Sequence, residues 1–201
     1  MDSNYLDIQK VRLPRTKGVL YLLRNDPHVT PFAFIEHSRQ PGSRKLLETF
    51  ASTAQNSQCY KIIGTTNHSP TLVPSYNLCG FADHGIEFTL TFPNPGTLDA
   101  PHGVRFSISD QTKEVAHAYV YLLRTPSGEP FAYLEDINVN KEHQRAGCGI
   151  RLLEAVIACA QEHAGSLICT SRHERKHIHN WYMRHGFLPT GREYRRNILD
   201  E

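Results

Sequence analysis

At 201 residues the chain is long enough to bury one large core or two small ones. It is 39% hydrophobic and 21% charged, with a formal net charge of +2 and both signs scattered. That composition suits a soluble globular protein and leaves no electrostatic footprint for nucleic acid or a membrane surface. No run approaches spanning length, and the first eighteen residues, MDSNYLDIQKVRLPRTKG, lack the apolar core of a signal peptide. The five cysteines (59, 79, 148, 159 and 169) show no C-x-x-C spacing, so reduced thiols in a cytoplasmic protein are expected.

Residues 1–17 read as an N-terminal arm. A β-branched and aromatic strand follows, carrying Tyr21-Leu22-Leu23-Arg24, then a second strand after Pro31-Phe32-Ala33 that closes on Glu36. Leu46, Leu47, Phe50, Ala51 and Ala54 recur at helical spacing and predict an amphipathic helix. A short strand at 61–63, a helix stopping at Gly80-Phe81 and a last strand complete this half, residues 18–92. PNPGTLDAP (93–101) has the composition of a linker.

From 102 to 201 the same order returns, with an extra strand, VRFSISD, in front. Tyr-Leu-Leu-Arg recurs at 121–124 and Pro-Phe-Ala at 130–132, and an offset of 106 aligns residues 46–87 with 152–193. Eleven of those 42 positions are identical. Random pairing of this composition gives about 6%, so the chain is read as an internal duplication. The expected fold is α+β: a mixed central β-sheet flanked by helices, built as a pseudo-two-fold duplication of a β-β-α-β-α-β unit.

The copies differ between the shared Glu and the shared Leu-Leu. The first has nine residues there, HSRQPGSRK, with one glycine and with Pro41 removing an N–H donor. The second has sixteen, DINVNKEHQRAGCGIR, ending in a Q-x-x-G-x-G loop that runs into a helix. Backbone N–H groups at such a turn, together with the open first turn of the helix, form a concave anion site. Arg145 can add a charge-assisted contact.

LEDINVNKEHQRAGCGIRLLEAVIACA and WYMRHGF together resemble the GNAT superfamily of acyl-CoA-dependent N-acetyltransferases, well over 103–199 and more faintly over 19–92. The resemblance implies acetyl-CoA as co-substrate and no metal. It implies a cofactor site of Gln144, Arg145, Ala146, Gly147, Cys148, Gly149 and Ile150 for the pyrophosphate, with main-chain groups of Ile137, Asn138 and Val139 for the pantetheine arm. Arg175 stands where many members have a pantetheine-contacting Asn. Glu135 would be the base, with Asp136 as its alternative, and Tyr182 the acid, in direct attack by a small-molecule or protein amine. Glu36 and Tyr76 match Glu135 and Tyr182 in the copy without the loop, so a structural role common to both halves is the competing reading. The first copy is expected to be catalytically dead and the protein a monomer or homodimer. A catalytically inactive acyl-CoA-binding regulator is one alternative. A zinc hydrolase through His173-Glu174-His177 is the other, although H-E-x-x-H matches arise by chance in a chain with 12 histidines.

Overall fold

Val19 to Leu23 are almost wholly buried, so this strand is covered on both faces and needs no alternation of apolar and polar residues. It is β2 (Gly18–Arg24) of a computed structural model that describes residues 7–12, 18–25, 28–37, 44–66 and 73–198. Residues 38–43 of the short first-copy loop, Pro41 among them, lie outside the described residues. β1 (Asp7–Arg12) pairs antiparallel with β2, so part of the expected arm is an edge strand. Then come β3 (Phe32–His37), α1 (Arg44–Asn56), β4 (Lys61–Thr65), α2 (Val73–Leu78) and β5 (Ala82–Thr91). The second copy supplies β6 (His102–Asp110), β7 (Lys113–Arg124), β8 (Pro130–Val139), α3 (Cys148–His163), β9 (Ser166–Arg172), α4 (Lys176–Arg184) and β10 (Leu188–Asn197).

The chain divides into two compact units whose limits differ from those of the repeat. The loop unit holds residues 90–124 and 129–169; the larger unit holds the described residues of 7–89 and 170–198, with 125–128. In the loop unit the strands run β6-β7-β8-β9, with only the β8–β9 pair parallel. α3 lies on β7 and β8 and buries Leu152, Leu153, Val156 and Ala160, the apolar face its spacing predicts. The larger unit orders its strands β1-β2-β3-β4-β10-β5, with β3–β4 parallel. Its core joins Leu20, Ile35, Leu47, Phe50, Ile62 and Tyr76 to Tyr194 of the second copy. All five cysteines are free thiols.

β10, the last strand of the second copy, thus lies between β4 and β5 of the first. Matching bonds trace this exchange. Ile198 N–H donates to the Tyr60 carbonyl in the larger unit, and Phe92 N–H to the Gly165 carbonyl in the loop unit, both at 2.9 Å. Pairing register also refines the repeat: Ala33 faces Ile62 as Ala132 faces Leu167, which aligns β4 with β9 at an offset of 105. Among the described residues no helix is long and apolar enough to cross a membrane.

Candidate active site

The site begins with an irregularity in β8. Tyr119 pairs with Asp136 and Val120 with Leu134, so Glu135 is the extra residue of a β-bulge. On the other edge, pairing with β9 ends at Leu134–Cys169, while β8 runs on to Val139. Asn140 donates its N–H to the Val115 carbonyl at 2.9 Å. By antiparallel alternation Asn138 then also faces β7, and the N–H and C=O groups of Ile137 and Val139 face the open edge. The Gln144 side-chain amide donates to the Val139 carbonyl at 3.2 Å, which fastens the following loop to the strand.

That loop contains one 3-10 turn, Lys141–His143, and two left-handed residues, Arg145 (φ 70°) and Gly147 (φ 81°). Gly147 is the N-cap of α3 and has no side chain to bond the open N–H groups. The first helical bond runs from Arg151 N–H to the Gly147 carbonyl at 3.1 Å. The N–H groups of Cys148, Gly149 and Ile150 therefore point out of the helix end with no carbonyl upstream. A Cβ on Gly149 would sit 3.7 Å from the Val139 side chain, so the first turn of α3 packs against the end of the open strand. This donor set, on a helix end carrying partial positive charge, fits a pyrophosphate.

The hydroxyl of buried Tyr133 donates to Glu135 Oε2 at 2.9 Å. The first copy has Phe34 at the position of Tyr133, and that difference was the sequence signal for this supporting residue. Asp136 lies elsewhere, with Oδ2 at 3.6 Å from His117 Nε2.

Arg175 and Tyr182 belong to the larger unit. Arg175 is the exposed N-cap of α4, and its carbonyl accepts the N–H groups of Ile178 and His179. Tyr182 is 3% exposed, with its ring against Phe88, Trp181 and Phe187. Its counterpart Tyr76 stacks on Tyr194 at 4.9 Å, and its hydroxyl fills the space a side chain on Gly64 would need. Burial, and then the charges of Glu36 and Glu87, hold the Tyr76 hydroxyl well above its usual range. Burial, helped by Glu87, likewise pushes Glu36 up to about 8. His173 lies in the turn before α4, not on the helix that carries His177, and its Nε2 is 2.6 Å from Asp83 Oδ1. Among the described residues no three His, Cys, Asp or Glu side chains gather as a metal site would require.

Residues 103–189 match the family model described as Acetyltransferase (GNAT) domain. Over 94% of this chain and 88% of the other, the fold is similar to a GCN5-related N-acetyltransferase from Kribbella flavida, at 13% identity and TM-score 0.53. A tandem GNAT protein from the clavulanic acid biosynthesis pathway aligns over 98% and 84%, at 15% identity and TM-score 0.46. A search of curated proteins gives no match. The second copy of the duplicated chain thus carries the match to a GNAT acetyltransferase domain, over residues 103–189.

Proposed function

We propose that this protein is an N-acetyltransferase that moves an acetyl group from acetyl-CoA to a primary amine, of a small molecule or a protein, by direct attack in a ternary complex. The observation that carries this reading is the open edge of β8 beside a glycine-capped helix. N–H groups of residues 148–150 and the Arg145 guanidinium hold the pyrophosphate. Ile137 and Val139 pair with the pantetheine arm as with an added strand. Acetyl-CoA, when bound, supplies the activated acyl thioester. Glu135, held by Tyr133, accepts the proton that the acceptor ammonium must lose, and the Tyr182 hydroxyl donates a proton to the leaving sulfur.

The test is calorimetric titration of the full-length protein with acetyl-CoA, then a thiol-release assay across a panel of amines. Micromolar binding is expected, weakened about tenfold or more in Arg145→Ala, as loss of a charge-assisted contact requires. A folded wild-type protein that takes up no acetyl-CoA would overturn the reading. The burial of Tyr182 favours a second reading, an acyl-CoA-binding regulator in which this ring serves packing alone. Tyr182→Phe decides between them: turnover lost with affinity unchanged marks the enzyme.

A further inference from the structure

β6 ends the sheet of the loop unit, and among the described residues no strand pairs with its outer side. Its nine residues exceed the about five or six usual for a strand. An open edge of this length invites another strand unless charge or proline guards it. β1, the edge strand of the larger unit, has Lys10 among its six residues. β6, His-Gly-Val-Arg-Phe-Ser-Ile-Ser-Asp, has neither lysine nor proline. Arg105, the one charge inside it, is turned back to β7. There its guanidinium donates to the Glu114 carboxylate and, at 3.5 Å, to the Tyr119 hydroxyl.

Which groups lie on the open edge follows from the pairing. Asn138 faces β7 opposite His117, so His117 faces β8 and Ala118 faces β6. Phe106 stands opposite Ala118 and directs its N–H and C=O to β7. Gly103, Arg105, Ser107 and Ser109 therefore turn their main-chain groups outward. The His102 ring lies 6.0 Å from that of His163 at the end of α3, so the even-numbered side chains of β6 are on the helix face. Three of them, Val104, Phe106 and Ile108, are only half-buried. They form an apolar row along the edge that α3 covers incompletely.

We propose that β6 is a homodimer interface, pairing antiparallel with β6 of a second copy of this chain about a two-fold axis at Phe106, its central residue. The axis runs perpendicular to the sheet and keeps both α3 helices on one face. In this register β6 is its own complement. On the helix face Val104 meets Ile108 of the second copy, Phe106 meets itself, and His102 meets Asp110 at the ends. On the other face Arg105 meets Ser107 and Gly103 meets Ser109, so no like charges oppose. The outward main-chain groups fall in hydrogen-bonded pairs, which gives about eight new bonds, and Phe106 falls in a non-bonded pair. A second copy supplies the matching row and charges by symmetry, which an unrelated strand does not. At β1 the corresponding registers set Lys10 against Ile8, against itself or against Arg12, so that edge lacks the property. This inference stands independently of acyl transfer.

Sedimentation of the full-length protein from roughly 1 to 100 µM tests it, since a strand-edge interface of this size is expected to dissociate in the micromolar range. Ser107 is exposed, and its N–H points outward. Ser107→Pro therefore leaves the β6–β7 ladder intact while blocking the partner strand. It should melt close to wild type and weaken the dimer at least about tenfold. Phe106→Cys sets two Cα atoms about 4.5 Å apart across the axis, within disulfide reach. Mild oxidation should then give a covalent dimer well above the level seen in wild type and in Ser107→Cys, which faces Arg105 instead. If Ser107→Pro does not fold, this cross-linking decides alone. A wild-type protein that stays monomeric at 100 µM overturns the proposal, as does a dimer indifferent to Ser107→Pro. A dimer that never cross-links at position 106 overturns the axis, and the proposal with it.

Discussion

Arg145 holds φ 70° in a loop otherwise turned by glycine, a conformation that costs an L-residue roughly 1–2 kcal/mol. Arg145→Gly should therefore raise the melting temperature while weakening acetyl-CoA binding, a pair of opposite signs that a purely structural arginine would not produce. Thermal melts and calorimetry on one preparation check it. Glu135 depends on its neighbour. Tyr133→Phe removes the hydroxyl that bonds Oε2, at a folding cost of about 1 kcal/mol. It should lower kcat several-fold at unchanged acetyl-CoA affinity; an unmoved kcat would reduce Tyr133 to a packing residue.

At the level of elements, the recurring Gly85-x-Glu87 and Gly191-x-Glu193 find their reason in the exchanged strands. Glu87 stands opposite Gly191 and Glu193 opposite Gly85, so each buried glutamate lies over the other strand's glycine. Thr190 donates to Glu87 Oε1 at 2.9 Å. A Cβ on Gly85 would come within 2.3 Å of the Ser171 carbonyl oxygen, so backbone must move to admit one. Gly85→Ala is expected to destabilise the protein by roughly 1–3 kcal/mol, read by urea unfolding. α3 follows its spacing more simply: Leu153→Ala, at a fully buried position, should cost about 2–5 kcal/mol.

For the whole molecule, Glu36 makes stability depend on pH. Its folded pKa is raised from 4.5 to about 8, chiefly by burial and then by Glu87. Between those values the folded state keeps a proton that the unfolded chain has released, so stability falls as pH rises from about 4.5 to about 8. Glu36→Gln should flatten that slope, so its gain in melting temperature over wild type is larger at pH 8 than at pH 5. An equal difference at both would show that Glu36 carries no such proton. The comparison also separates the two copies. Glu36 and Tyr76 occupy the positions of Glu135 and Tyr182, yet one is a half-buried acid that feels the charge of Glu87 and the other a ring stacked on Tyr194.

The duplication, the order of the elements and the glycine loop were legible in the residues, because hydrophobic period and repeated motifs are local. The helix faces at 46–54 and 152–160 followed from spacing alone, and Gly147 and Gly149 marked the helix entrance. β1 was missed, since an edge strand with one paired side leaves a weak pattern. Strand exchange was missed for a stronger reason. β5 and β10 carry equivalent sequences, so either could complete either half, and only pairing across the folded chain placed β10 between β4 and β5. The bulge at Glu135 and the hydroxyl of Tyr133 on its carboxylate are likewise tertiary facts. Each depends on which groups become neighbours after distant segments pair, and no local period encodes that.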